Sequence, residues 1–239
     1  MTLSKIAQVL FTRVPISGKT KKRLTPFLTA QQAADLHQGM ILDTMSVMKK
    51  VRADVFICYE PAAGAEQLLK TLAGKTRVYP QRGRTLDRRV INCLVDLRQR
   101  GYRAAYFIVS DSPSVKPGYL QQAIRALSGP HPVVVIGPSH DRGAYLLGTN
   151  RLEDLGFLEH IPWGEDRVFH LLASQSLLAG YRVRPLPIVK DIDKRQDVYW
   201  LFEEAVRVSS KELKHVKNFF RVFGKSIFYA HVTKQALAR

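Results

Sequence analysis

Short apolar runs alternate along the chain with longer segments whose apolar residues recur every three or four positions. The runs predict strands near 6–11, 54–59, 104–109 and 133–136, and the longer segments predict helices between them. Residues 104–109 are almost continuously apolar, as in a central strand buried on both faces. This alternation predicts an α/β fold, a three-layer sandwich with a mostly parallel central sheet and helices on both faces.

Local signals mark the ends of several elements. Thr29 with Gln32 three residues later predicts an N-cap with a capping box. Asp193 with Gln196 predicts the same arrangement at a later helix. Two prolines in the stretch 183–189 weaken it as a strand, so we expect it to lie at the edge of the sheet or to be irregular.

The last part of the chain has a pattern of its own. From Ser209 onward, basic residues alternate with Phe, Val and Ile, and Glu212 is the single acid. We therefore predict a domain over residues 1–207 and a basic, Phe-rich helical extension over 208–239, broken or kinked at Gly224. Its apolar face either packs on the domain or a second subunit of a homodimer, or docks on an anionic membrane surface.

The charge balance is strongly positive. Against 20 Asp and Glu there are 37 Lys and Arg, a formal net charge of +17 that favours anionic partners. No apolar run is long enough to span a bilayer, and the first residues lack the pattern of a signal peptide. Cys58 and Cys93 lack metal-ligand spacing, which predicts buried free thiols. We expect a cytoplasmic protein, or one that lies peripherally on the inner membrane surface.

The loop after the first strand is the first candidate site. Residues 13–24 contain Gly18 and a cluster of lysines and arginines. Ligands of open parallel sheets bind beyond the carboxyl ends of the strands, where such a loop can approach a phosphate. The spacing is not that of a Walker P-loop. The alternative is a solvated basic loop.

Acidic residues follow two later strands. Asp111 comes directly after the most apolar run, and Asp191 and Asp193 fall on one side of an extended segment. Carboxylates at this edge suit magnesium, which prefers one or two carboxylates together with phosphate oxygens. Alternatively, Asp111 caps a turn and Asp193 caps a helix.

Two turns are further candidates. The turn 137–148 combines His140, Asp141 and flexible glycines, although a histidine in such a turn is more often a surface residue. Trp163, in the segment 161–164, is either part of a substrate wall or a partly buried aromatic residue. The sequence has no Ser-His-Asp set, no Cys-x-x-Cys or His-Glu-x-x-His metal motif, and no Gly-x-Gly-x-x-Gly after the first strand.

Six short motifs occur in a familiar order. They resemble those of a bacterial and archaeal family with the glycosyltransferase-A, or nucleotide-diphospho-sugar transferase, fold, which is related to phospholactate guanylyltransferase. The matching stretches are 18–24, 81–89, 110–113, 141–145, 161–164 and 191–193. The likeness covers roughly residues 5–202.

The resemblance implies a transferase that uses a nucleoside triphosphate or nucleotide-sugar with Mg²⁺ or Mn²⁺ and a small anionic acceptor. The implied nucleotide-binding residues are Arg13, Gly18, Lys21, Arg23, Gln81 and Gly83. The implied catalytic and metal-binding residues are Asp111 and Asp193. The implied acceptor-side residues are Asp141, Arg142, Gly143 and Trp163.

The sequence departs from the family pattern at several of these positions. Lys22 replaces a small hydroxyl residue, Asp87-Arg88 replaces Gly-Glu, and Arg142 and Ala144 replace a glycine and an aromatic residue. An alternative is therefore a nucleotide-binding protein without catalytic activity, in which Arg88 and Arg142 occupy the substrate space. A nucleic-acid binder is a weaker alternative, because the chain lacks the aromatic-basic pattern of an RNA-recognition motif and any zinc finger.

Overall fold

A seven-stranded sheet forms the centre of the molecule. The computed structural model describes residues 5–165 and 167–236, with side chains up to residue 227. The strands are β1 Ile6–Thr12, β2 Asp54–Tyr59, β3 Arg77–Pro80, β4 Ala104–Val109, β5 Val133–Pro138, β6 Ala144–Thr149 and β7 Arg182–Pro185. Their order is β3-β2-β1-β4-β6-β5-β7. Among these strands only β6 runs antiparallel to its neighbours, so the sheet is mostly parallel, as predicted.

Helices cover both faces of this sheet. They are α1 Ala30–Met48, α2 Ala65–Ala73, α3 Leu86–Gln99, α4 Pro117–Leu127, α5 Val168–Leu178, α6 Arg195–Arg207 and α7 Lys214–Ala236. None of the helices in the described ranges is long and apolar enough to cross a membrane. The capping box at the start of α1 is confirmed, since Thr29 Oγ1 accepts from Gln32 N at 3.1 Å and Gln32 Oε1 accepts from Thr29 N at 2.9 Å.

The side-chain alternation of the strands divides the core in two. Leu10, Ile57 and Ile108 point to a layer formed by α1, α2 and α4. Val9 and Phe107 point to the opposite layer, formed by α3 and α5. The predicted three-layer sandwich is therefore confirmed. Cys58 and Cys93 are both free and buried, as expected. Strand β7 lies at the edge of the sheet. An edge strand tolerates proline, because the missing N–H group is not needed for a hydrogen bond to a further strand.

The carboxyl ends of four parallel strands meet at one edge of the sheet. Phe11 of β1 lies in register with Val109 of β4, so the residues that follow them are neighbours. On the other side, Thr12 pairs with Tyr59 of β2, and Gln81 N donates to Tyr59 O at 2.8 Å. The loops after β1, β3 and β4 therefore converge, although the chain separates them widely.

Helix α7 packs against α1 and α6. Its Val216, Phe219 and Phe220 are buried in an apolar cluster with residues of both helices. A methyl group added at Gly39 of α1 would lie 3.3 Å from the backbone of His215, so the two helices approach closely here. The apolar face of the extension thus packs on the domain of its own chain.

Two predictions about helix ends are wrong. Helix α7 continues through Gly224. A glycine inside a helix costs only about 1 kcal/mol, and buried residues before and after it, such as Phe220 and Ile227, hold both parts of α7 on the domain. The N-cap of α6 is Lys194, not Asp193. Asp197 Oδ2 accepts from the backbone nitrogens of both, at 2.7 and 3.1 Å, which leaves the Asp193 side chain for another partner.

Candidate functional site

Two adjoining cavities open at the carboxyl edge of the sheet. The larger has a volume of about 560 Å³, and we name it the basic cavity. Its charged lining consists of Arg13, Lys21, Lys22, Arg23 and Arg89 with Glu60, Asp111 and Asp193. The smaller, of about 180 Å³, we name the acidic cavity, because its charged lining consists of Asp111, Asp141, Glu165 and Asp191. Asp111 lies at the junction and lines both.

Lys21 is a buried part of the site and not a free loop cation. Its side chain is only 4% exposed, and Nζ lies 2.9 Å from Asp111 Oδ1 and 2.5 Å from the carbonyl oxygen of Ile192. The backbone of Lys21 is left-handed, with φ of 46°, which turns the loop so that the side chain points inward. One ammonium group therefore joins the loop after β1, the end of β4 and the segment before α6.

The Asp111 carboxylate faces the cavities with 44% of its side chain exposed. Its contacts with described residues, from Lys21, Ser110 and His37, all go to Oδ1. Desolvation raises the pKa of Asp111, but Lys21 and the other donors outweigh it and hold the pKa below its usual range. Asp111 is therefore an ionised carboxylate whose Oδ2 remains as the acceptor for a ligand.

The structure brings Asp193 to the same cavity wall as Asp111. Ile192 N donates to Asp111 O at 2.9 Å, which fixes the segment before α6 against the end of β4. The Asp193 carboxylate forms an ion pair with Arg23, whose side chain is 73% exposed. Both predicted metal-binding carboxylates thus line the basic cavity, and each has a cationic partner.

A buried chain of hydrogen bonds lies next to Asp111. Its central residue, His37 of α1, was not predicted as a site residue. His37 Nδ1 lies 2.7 Å from Thr20 Oγ1, and Nε2 lies 2.9 Å from Ser110 Oγ. Burial lowers the pKa of His37 to about 4, so the ring is neutral at physiological pH. The one sequence signal for it is a polar residue among apolar neighbours on the buried face of α1.

Two further predicted nucleotide-binding residues, Arg13 and Gln81, also line the basic cavity. Arg13 Nε lies 3.0 Å from Glu60, which also contacts Arg89 Nη1 at 2.8 Å. The hydrogen bond from Arg89 is the main reason why the pKa of Glu60 is lowered. Gln81 Nε2 donates to the carbonyl oxygens of Thr12 and Cys58 at 3.3 and 3.2 Å, so its Oε1 remains available as an acceptor.

The two predicted nucleotide-binding glycines do not line either cavity. Gly18 has φ of 75° and allows the loop after β1 to turn. Gly83 has φ of 135°, and an added methyl group would lie 2.9 Å from Arg89 N. Both glycines shape the backbone that carries the binding residues.

On the acceptor side, Asp141, Gly143 and Trp163 line the acidic cavity, but Arg142 does not. Arg142 has φ of 67° and is exposed. Gly143 has no room for a side chain, because a methyl group would lie 2.9 Å from Asp141 Oδ1 and from Ser139 Oγ. The expectation that Arg142 enters the acceptor space is therefore corrected.

Three further features of the acidic cavity involve Trp163, Asp191 and Ser112, of which Ser112 was not predicted as a site residue. Ser112 Oγ and Trp163 Nε1 are buried polar atoms without a hydrogen-bond partner among the described residues. Burial, with Asp141 as the next cause, raises the pKa of Asp191 to about 6. Unpaired donors and close carboxylates cost folding free energy, which indicates a ligand site.

The donor set is compatible with a hard cation. Carboxylate oxygens suit Mg²⁺ and Mn²⁺, and Asp111 Oδ2 is available. Within the described ranges no group of three or more His, Cys, Asp or Glu residues forms a complete metal site. The arrangement fits a magnesium-type ion held by one or two carboxylates together with oxygens of a bound ligand.

The fold is similar to several solved structures. A candidate nucleotide-diphospho-sugar transferase from Desulfovibrio desulfuricans G20 is 26% identical, with a TM-score of 0.85 over 95% of this chain and 98% of that one. A 4-diphosphocytidyl-2C-methyl-D-erythritol synthase from Anaerococcus prevotii is 11% identical, with a TM-score of 0.58 over 85% and 97% of the two chains. A cytidylyltransferase from Leptospira borgpetersenii is 16% identical, with a TM-score of 0.53 over 93% and 96%.

The first of these similarities confirms the nucleotide-diphospho-sugar transferase fold predicted from the six motifs, and the other two show the fold alone. No curated protein matches the sequence. Residues 42–165, slightly more than half of the chain, match one family model. The chain therefore belongs to the family described as "Uncharacterized protein conserved in bacteria (DUF2064)".

Proposed function

We propose that this protein is a transferase that binds a nucleoside triphosphate or nucleotide-sugar in the basic cavity and passes a nucleotidyl or glycosyl group to a small acceptor in the acidic cavity. One observation carries the proposal: Asp111, at the end of the central strand β4, lines both cavities. A group transferred between two bound molecules must pass such a junction.

The basic cavity has the size and charge for a nucleotide. Its volume of about 560 Å³ lies within the usual range of small-molecule sites. Arg23 and Lys22 on the loop after β1 supply positive charge for phosphate oxygens. Two of the similar structures, a cytidylyltransferase and a candidate nucleotide-diphospho-sugar transferase, belong by name to enzyme classes that use nucleotide ligands.

Asp111 and Asp193 would hold a Mg²⁺ or Mn²⁺ ion together with phosphate oxygens of the nucleotide. When bound, the ion offsets negative charge on those oxygens. Lys21 keeps Asp111 ionised and fixed in position, and Arg23 can move from Asp193 to a phosphate because it is exposed.

The chemistry needs no protein nucleophile. In nucleotidyl transfer, an acceptor oxygen bonds to the α-phosphorus, the bond to the bridging oxygen breaks, and pyrophosphate leaves with the electron pair. In glycosyl transfer, the acceptor oxygen bonds to the anomeric carbon, the bond from that carbon to the phosphate oxygen breaks, and the nucleoside diphosphate leaves with the electron pair. A hydroxyl acceptor gives its proton to a carboxylate of the acidic cavity. The leaving group distinguishes the two reactions.

The alternative of a protein without activity has less support. It required Arg88 and Arg142 to fill the substrate space, but both side chains are exposed and neither lines a cavity. Arg88 instead lies 3.3 Å from Glu159. Neither arginine therefore lines the basic or the acidic cavity.

Thermal shift with nucleoside triphosphates and nucleotide-sugars, with and without Mg²⁺, tests the proposal. We expect at least one nucleotide to raise Tm in a Mg²⁺-dependent way, and Arg23→Ala to reduce the shift. Arg125→Ala, an exposed cation on α4 outside both cavities, is the matched control. If no nucleotide raises Tm at millimolar concentration, the proposal is wrong. With a stabilising nucleotide, pyrophosphate or nucleoside diphosphate release then identifies the reaction.

A further inference from the structure

The acidic cavity carries one sign of charge. Asp111, Asp141, Glu165 and Asp191 line it, and its described lining includes no lysine, arginine or histidine. This is unexpected in a chain with a net charge of +17. The excess of positive charge therefore does not extend into the space where the acceptor would bind.

The lining of the same cavity includes two hydrogen-bond donors without acceptors among the described residues. Ser112 is fully buried, and its Oγ has no hydrogen-bond partner among the described residues. Trp163 Nε1 is a second buried donor in the same condition. Because buried donors are almost always paired in native proteins, two unpaired ones in one lining indicate a ligand that brings oxygen atoms.

Aromatic and aliphatic side chains form much of the remaining lining. Phe107 and Trp163 lie with ring centroids 6.1 Å apart and form one wall with Phe11 and Val109. Asp141 is fixed in its turn, since Ser139 Oγ and Gly143 N both donate to its Oδ1, at 2.5 and 2.9 Å. Its second oxygen is the part of the carboxylate that can accept from a ligand.

We propose that the acidic cavity binds a polyhydroxy acceptor that is uncharged or positively charged, such as a sugar or amino sugar without a phosphate. This inference rests on the proposed function. Each hydroxyl group can accept from Ser112 or Trp163 and donate to a carboxylate. A phosphate would bring negative charge among carboxylates, which repel it. This proposed acceptor differs from the small anionic acceptor expected from the sequence.

The two tryptophans of the chain permit a direct test. Trp163 lines the acidic cavity, whereas Trp200 on α6 lines neither cavity and lies beside Lys190. In a Trp200→Phe variant, Trp163 is the single tryptophan, and its fluorescence reports on the cavity. The probes are glucose, glucosamine and glucose 6-phosphate, titrated to high millimolar concentration without nucleotide.

We expect both glucose and glucosamine to change the fluorescence, with glucosamine acting at a lower concentration than glucose. Glucose 6-phosphate should require a concentration at least about tenfold higher than that of glucose for the same change. Ser112→Ala should weaken glucose binding by about tenfold, because the loss of one hydrogen bond to the ligand typically has an effect of about that magnitude on affinity. Ser112→Ala removes an unpaired hydroxyl and should not unfold the protein. Ser174→Ala, exposed on α5, is the matched control and should leave the affinity unchanged.

Tighter binding of glucose 6-phosphate than of glucose would overturn the inference, as would no response to any probe or an unchanged affinity in Ser112→Ala. These results are separate from the nucleotide-dependent rise in Tm. If nucleotides bind and the sugar probes fail, only the acceptor inference falls. If nucleotides do not bind, the proposed function falls, whatever the fluorescence shows.

Discussion

At the scale of single residues, two cations of the loop after β1, Lys21 and Arg23, have different roles. Lys21 is buried against Asp111 and Ile192, whereas Arg23 is mostly exposed and paired with Asp193. From the sequence, both are predicted to be cations of an exposed loop. Their burial decides that one stabilises the cleft and the other can exchange its partner for a ligand.

We predict that Lys21→Met lowers the free energy of unfolding by about 1–3 kcal/mol, because a carboxylate and a carbonyl lose a buried donor. Arg23→Ala should change it by less than about 0.5 kcal/mol, since exposed ion pairs contribute little. Urea denaturation of both variants measures the difference. Equal stability of the two would show that the Lys21 contacts have no structural role.

His37 gives a pH-dependent stability. Burial lowers its pKa to about 4 in the folded protein, against about 6.5 in an unfolded chain. The unfolded chain therefore binds a proton at His37 more readily than the folded protein does. The free energy of unfolding is unaffected by this group above pH 6.5 and decreases as the pH falls towards 4. The loss from this one group is on the order of 3 kcal/mol.

Comparison with His37→Gln isolates this contribution. The stability difference between the parent protein and the variant, measured by urea denaturation, should shrink as the pH falls from 7 to 4.5, because only the parent loses the His37 contribution. A difference that stays constant over this range would mean that His37 does not titrate as its burial requires.

At the scale of elements, one carboxylate fixes helix α7 on α1. Asp43 is buried and accepts from the backbone nitrogens of His215 and Val216 at 2.9 to 3.1 Å. These are donors at the start of α7 that no helical carbonyl satisfies. A residue of one helix thus caps another that follows it by more than 160 positions.

We predict that Asp43→Ala lowers the free energy of unfolding by about 1–2 kcal/mol, the usual effect of removing a helix cap. Asp35→Ala, on the same helix at a residue that accepts a hydrogen bond from Gln31 Nε2, is the control and should cost no more than about 0.5 kcal/mol. Amide hydrogen exchange should show the added opening in α7. A variant that keeps the protection of α7 would argue against this cap.

At the scale of the whole molecule, the cleft depends on the position of Asp111 between the two cavities. Asp111→Asn keeps the shape of the side chain and removes its charge. We expect the nucleotide-induced rise in Tm to lose its dependence on Mg²⁺, while the part without Mg²⁺ remains, since Arg23 and Lys22 are unchanged. Thermal shift with and without Mg²⁺ is the measurement.

Asp154→Asn, an exposed carboxylate outside both cavities, controls for the loss of one negative charge. An Asp111→Asn protein with an unaltered Mg²⁺ effect would remove Asp111 from the proposed metal site and leave Asp193 as the remaining carboxylate to test.

The sequence by itself determined the fold class, the strand and helix order, and which loops lie at the carboxyl edge of the sheet. These follow from periodicity and from local signals such as Thr29 with Gln32, which act over a few residues. The same local reasoning indicated Asp111 and the loops that contain Lys21 and Asp141, whereas Gln81 was implied only by the resemblance to the glycosyltransferase-A family. It was wrong about Gly224, because packing on α1 and α6 outweighs the weak helix preference of one glycine.

Only the tertiary structure decided the direction and partner of each side chain. It joined Lys21 to Asp111, placed His37 Nε2 3.9 Å from Asp111 Oδ1, kept Arg142 out of the lining of the acidic cavity, and left Ser112 Oγ and Trp163 Nε1 without hydrogen-bond partners among the described residues. These outcomes depend on contacts between segments that are 70 to 170 positions apart. Burial and the partner set the charge state of a group, and no pattern of neighbouring residues contains either quantity.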